Sequence, residues 1–228
     1  MDRFDHLPPA SLATADRPLA GLTVLLVEDS RLASEGVRLL CTRSGARLRR
    51  ADTLLAAGRH LRAYRPGAVI VDIHLPDGSG LDLIRHLAQF RPRIPAILAT
   101  SGDPAQAWAA AQAGADGFLA KPLPDLVAFQ AALLAFLPPD SQPPTRHPLP
   151  PGSLPPDPQA LRDDLARAAS LLADDRPSLE YVAGFVGGVA RSAGDEPLAR
   201  AAKAAAMSGT PATLAQALRQ RLDARPAF

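Results

Sequence analysis

An aspartate, Asp72, closes the apolar run Val69-Ile70-Val71, and the turn residues Pro76, Gly78 and Gly80 follow at once. Two acids, Glu28 and Asp29, close a second apolar run over 22–27; Thr100 closes a third over 94–99, and Lys121 a fourth over 117–120. Short apolar, β-branched runs bounded by Pro and Gly read as strands buried on both faces of a parallel sheet. The carboxyl ends of such strands share one edge, where open α/β sheets place their ligands. Three carboxylates gathered there repel, at about 4 kcal/mol per pair for 4 Å and an effective dielectric near 20. A hard dication removes that penalty, and Mg²⁺ prefers a few carboxylates with water completing its octahedron. With one carboxylate left reachable, such a site is suited to taking a phosphoryl group. Asp72 would be the nucleophile, and Lys121 and Thr100 would hold the phosphate oxygens.

The elements that must position these groups follow from the pattern between them. From Ser30, a plausible N-cap, a helix carries Leu32, Gly36, Leu39 and Leu40 and stops at Ser44-Gly45. Residues 46–51 read as an arginine-rich strand near a sheet edge. Helices are expected over about 54–64, 79–90, 104–112 and 123–137. Five strands alternating with five helices predict a doubly wound α/β sheet with parallel strands. The arginines at 43, 47, 49, 50, 59 and 62 read as a solvated face. The single cysteine, Cys41, falls in an apolar helical stretch and reads as core.

Residues 20–138 resemble a response-regulator receiver domain of two-component signalling. The resemblance is carried by the acidic pair after the first strand, the Asp72-x-x-x-Pro76 turn with Gly80, Thr100, the Gly114-Ala115-Asp116 step and Lys121-Pro122. It implies a flavodoxin-like receiver fold and phosphorylation of Asp72 by a histidine kinase or a histidine phosphotransfer protein. It further implies Mg²⁺ held by Glu28, Asp29, Asp72 and the His74 backbone carbonyl, with Thr100 and Lys121 on the phosphate. Thr100 and Phe118 fall at the family's switch positions. Glu28 stands where Asp is commoner, Ser101 replaces the usual Ala, and the loop after it is a residue short. A haloacid-dehalogenase-like phosphatase would want a second Asp two residues after Asp72, where His74 stands.

Residues 1–19 read as a disordered polar tail and 139–156 as a linker; ten of the 24 prolines fall between Pro138 and Pro158. Residues 157–228 read as a small all-α domain. Prolines at or near first helical positions start its helices, and apolar stripes include Leu161, Leu165 and Leu172, then Val182, Val186 and Val189, then Leu214, Leu218 and Leu222. Gly184, Gly187 and Gly188 weaken the second helix and point to a close neighbour. So small a unit should lean on the first domain or on a second copy. Uncharged helices around Trp108, Phe129 and Phe136 predict an interaction surface covered by a second subunit or by the C-terminal unit.

The net charge of +2 carries no polyanion signal, and nine basic residues balance nine acidic ones within 157–228. The favoured output is therefore a protein-interaction or dimerisation module, with a homodimer or a protein effector as partner. The alternative is a DNA-binding transcriptional regulator that reads bases with Gln216, Arg219 and Gln220. A phosphotransfer domain needs a helical His, and no His follows His147. Beyond the acceptor chemistry no enzymatic output is expected. With no long apolar run and no internal disulfide, a cytoplasmic protein without membrane contact is expected.

Overall fold

In the computed structural model, residues 13–139, 156–174 and 177–223 are described. An α/β unit runs β1 Thr23–Val27, α1 Arg31–Ser44, β2 Arg47–Ala51, α2 Leu54–Ala63 and β3 Ala68–Asp72. A two-residue ribbon of β4 His74–Leu75 and β5 Gly78–Ser79 follows. The unit closes with α3 Gly80–Gln89, β6 Ala96–Ser101, α4 Gln106–Ala113, β7 Gly117–Ala120 and α5 Leu126–Leu134. The five long strands are parallel in the order β2-β1-β3-β6-β7. The arginine-rich β2 lies at an edge, as its composition predicted.

Alternate residues of the central strands feed two cores. Val24, Leu26, Ile70 and Leu98 pack with α1 and α5, while Leu25, Val27, Val69, Val71 and Ile97 pack with α2, α3 and α4. Both faces of the sheet are thus covered, which is why its strands are continuously apolar. Ser30 caps α1 by accepting from the Ala33 amide, and Gly45 ends it at φ 85°. That left-handed geometry suits Gly. Helix α5 starts later than the pattern predicted because Pro122 and Pro124 precede it and Asp125 is its N-cap. Leu19 is buried in the first core and donates its amide to the Ser44 carbonyl, so packing begins before residue 20. The expected tail over 1–12 and most of the proline-rich linker lie outside the described residues.

Cys41 is fully buried, and burial pushes its thiol up to about 12. A thiol-disulfide reagent at pH 8 should leave the native protein unlabelled and modify one thiol per chain in guanidinium; fast native labelling would contradict this packing.

The second unit is four helices: α6 Pro158–Ala173, α7 Leu179–Ser192, α8 Glu196–Ser208 and α9 Ala212–Asp223. Asp157, Ser178 and Asp195 cap the first three through their side chains. Leu165, Val182, Val186, Val189, Leu198, Leu214 and Leu218 form its core. Leu32 of α1 joins that core at 4% exposure, a burial worth about 2 kcal/mol. The unit therefore leans on the α/β unit, packing on α1 and β4.

The cover expected around α4 and α5 is not where the helical unit sits. Trp108 stays 74% exposed and Phe136 is 36% exposed. Phe129 is wholly buried in the first core and offers no surface, which corrects its assignment to an interaction face. One face of the uncharged α5 is buried against the sheet and α1, while Val127 on it is 40% exposed. No helix among the described residues is long and apolar enough to cross a membrane.

Candidate functional site

The ends of β1, β3, β6 and β7 meet at one edge because the strands run in parallel register: Val27 lies opposite Val71, and Asp72 opposite Thr100. The loop after β3 folds back tightly there, with the Gly80 amide donating to the Ile73 carbonyl at 2.9 Å. A Cβ on Gly80 would lie 1.9 Å from the Asp72 carbonyl oxygen, so only glycine fits.

Lys121 reaches into this edge from the end of β7. Its Nζ lies 2.7 Å from Asp72 Oδ2 and 2.6 Å from Glu28 Oε2, with the lysine and Glu28 side chains almost wholly buried. Burial alone would depress Lys121, but the two carboxylates outweigh it and hold the ammonium above its ordinary value. Burial, then the charge of Asp72, pushes Glu28 well above the usual carboxylate range. The Asp72 Oδ1 atom accepts from the His74 amide at 3.2 Å. Thr100 is buried beside Asp72, with its hydroxyl donated to the Leu119 carbonyl at 2.8 Å. Phe118 is half-buried against the second core.

Glu28, Asp29 and Asp72 converge, one oxygen from each within 4.8 Å of the others. Asp29 Oδ1 is buried without a hydrogen-bond partner. An all-oxygen cluster with an orphaned carboxylate oxygen fits a hard divalent cation. Arg50 is exposed, as expected of a solvated face, and also donates to the Glu28 and Asp29 carbonyls, each at 3.3 Å.

A family model for the response regulator receiver domain matches residues 24–132. These residues are a response regulator receiver domain. The receiver is 33% identical over 99 residues to the KDP operon transcriptional regulatory protein KdpE of Escherichia coli K12, covering 43% of this chain and 44% of that protein. It is 31% identical over 110 residues to the transcriptional regulatory protein FixJ of Rhizobium meliloti 1021, covering 48% of this chain and 54% of that protein. The chain spans about half the length of these relatives. Among solved structures it is similar to the receiver domain of the sensor histidine kinase PA1611 from Pseudomonas aeruginosa PAO1, a structure with magnesium in its active site cleft. That likeness has a TM-score of 0.46 at 26% identity and covers 51% of this chain and 98% of that one.

Three residues of the helical unit meet the receiver at the same edge, and sequence reasoning had not singled them out. The Tyr181 hydroxyl donates to Asp29 Oδ2 at 2.6 Å, and Arg167 Nη2 lies 3.1 Å from that oxygen. Arg167 Nη1 donates to the Asp29 carbonyl at 2.7 Å. Burial raises Asp29 above its ordinary value despite the lowering influence of Tyr181 and Arg167, while burial and Asp29 together push the Tyr181 hydroxyl up. Asp164, 2% exposed, accepts from Ser30 Oγ at 2.8 Å and from the Arg31 and Leu32 amides, each at 2.9 Å. A signal for Asp164 was present: it is an acid on the apolar stripe of Leu161, Leu165 and Ala168. Tyr181 and Arg167 carried none, since either could face water on its helix.

Proposed function

We propose that the chain is a two-component response regulator in which Asp72 accepts a phosphoryl group from a histidine kinase or a histidine phosphotransfer protein. The carrying observation is the Lys121 ammonium shared by Asp72 and Glu28 inside a group of three carboxylates. One Asp72 oxygen forms the new bond to phosphorus as the bond to the donor's leaving group breaks, leaving an acyl phosphate. Lys121 is placed to follow the charge onto the phosphate oxygens, and Thr100 would turn its hydroxyl from Leu119 to meet them. Glu28, Asp29, Asp72 and the His74 carbonyl are the groups that would hold Mg²⁺, which when bound neutralises negative charge on the transferring oxygens.

The output on this reading is the helical unit acting by protein contact, without enzymatic chemistry of its own and in the cytoplasm. Its docking on the acceptor edge supports that reading, since a change in charge at Asp72 is felt directly by α7. A DNA-binding output is the second reading. It is favoured by relatives described as transcriptional regulatory proteins and by Gln216, Arg219 and Gln220 being exposed on α9. The balanced charge of 157–228 weighs against it, and salt-sensitive retention of DNA fragments in a gel shift would establish it.

Incubation of the full chain with acetyl phosphate and Mg²⁺ should add one acid-stable, base-labile phosphoryl group per chain. Asp72→Asn should abolish the labelling, at least a hundredfold. Equal labelling of wild type and variant would remove Asp72 as acceptor.

A further inference from the structure

The acceptor edge is closed by the chain's own helices, and the closure is chemical as well as steric. Helix α7 crosses the pocket on its glycines. A Cβ on Gly184 would lie 3.4 Å from the His74 ring, and one on Gly188 would lie 3.9 Å from the Lys121 Nζ. A Cβ at either position would thus already be in van der Waals contact with the site. The crevice left among Asp72, His74, Lys121, Phe185 and Val189 measures about 10 Å³, at the lower limit for one water and too small for a phosphoryl group.

Beside it, charge is balanced across the two units. Glu28, Asp29 and Asp72 place three carboxyl groups around the single ammonium of Lys121, an excess of acid that suits a dication. Helices α6 and α7 answer the same excess in another way. Arg167 brings a cation and Tyr181 a hydroxyl proton to one oxygen of Asp29, at 3.1 and 2.6 Å. A neighbouring cavity of about 430 Å³ is lined by Asp29, Arg50, Thr53, Asp163 and Arg167, but the Asp29 side chain is only 1% exposed, so the docked helices cover both it and Asp72.

We infer that Tyr181 and Arg167 stand in for the divalent cation at Asp29, so that the helical unit and the metal compete for the receiver's acidic pocket. The inference rests on the reading of Asp29 as a cation ligand. With the helices docked, Asp29 is neutralised and Asp72 is unreachable. A cation held through the unpartnered Oδ1 would draw on the same carboxylate charge that Tyr181 and Arg167 neutralise at Oδ2, weakening both contacts and with them the docking of the helical unit on α1 and β4. By reciprocity, the factor by which the docked helices weaken cation binding is the factor by which a bound cation weakens their docking. A protein donor then finds Asp72 open only in the metal-loaded, undocked receiver. The face of α6 and α7 that held Asp29 becomes free in the same step.

The test uses the full chain in two redox forms of one variant. The Cβ atoms of residues 74 and 184 would lie 3.9 Å apart, within the range that a disulfide spans. In the His74→Cys, Gly184→Cys variant, the oxidised form should bind Mg²⁺ at least tenfold more weakly by calorimetry than the reduced form. It should also resist labelling by acetyl phosphate. Tyr181→Phe, which keeps the ring and loses only the hydroxyl, should tighten Mg²⁺ binding about tenfold in the otherwise native chain. Its Mg²⁺-induced expansion, read by small-angle scattering, should come at correspondingly lower concentration. Equal Mg²⁺ affinity of oxidised and reduced forms, or of Tyr181→Phe and wild type, overturns the competition. A wild-type chain that binds no Mg²⁺ and takes no phosphoryl group overturns instead the reading of the pocket on which it rests.

Discussion

Replacement of Lys121 by methionine is expected to lower the folding stability of the metal-free protein by about 3 kcal/mol, and millimolar Mg²⁺ should restore much of the loss. The lysine is the counter-charge common to Asp72 and Glu28, at 2.7 and 2.6 Å, and the ammonium and Glu28 are almost sealed from water. Methionine keeps the length and the apolar stem but leaves two carboxylates facing each other with no cation between them. Removing one partner of a buried pair costs more than the pair itself contributes, because the remaining charge stays desolvated. Burial has already pushed Glu28 upward, and loss of the ammonium, which holds it down, would drive it further toward the neutral acid. A dication supplies what the variant lacks, and binding to the folded state stabilises it by mass action. Urea unfolding with and without Mg²⁺ checks both halves. A variant as stable as wild type without metal would mean that the carboxylates are not charged together.

The second large effect is expected at Asp164. Its carboxylate accepts three hydrogen bonds from the first turn of α1: the Ser30 hydroxyl and the Arg31 and Leu32 amides. A helix N-terminus presents unpaired donors and a partial positive charge, so a carboxylate buried against it is held strongly. Asp164→Ala should release the helical unit from the receiver, raising amide hydrogen exchange at Arg31 and Leu32 about a hundredfold. That factor corresponds to about 3 kcal/mol for a set of charge-assisted bonds lost together. Alanine is the better helix former, so α6 should persist and its far-ultraviolet dichroism should not fall. Asp164→Asn, which keeps an acceptor oxygen, should fall between. Unchanged protection in the alanine variant would show that the units are held by other contacts, such as Leu32 in the helical core.

Much of the receiver was legible before any coordinates. Continuous apolar runs that stop at Asp29, Asp72, Thr100 and Lys121 demand a sheet covered on both faces. Parallel strands then bring those four stops to one edge without further information. Ser30, Gly45 and Gly80 announced their caps and turn through local backbone chemistry that needs no distant partner. Four helices at the C-terminus were equally readable, since a proline lies at or near each start and an apolar stripe marks the buried face of the first, second and fourth. What spacing alone did not determine was which surfaces meet. Phe129 and Trp108 look alike on uncharged helices, yet one is buried in the core and the other projects outward. The docking of α6 and α7 depends on Asp164, Arg167 and Tyr181, which reach groups more than 130 residues earlier in the chain. A helical period says which side chains share a face, but not what that face touches. That depends on the complementarity of two folded units: glycines on one leave room for His74 and Lys121 on the other, and an arginine with a tyrosine matches an excess of acid in three carboxyl groups.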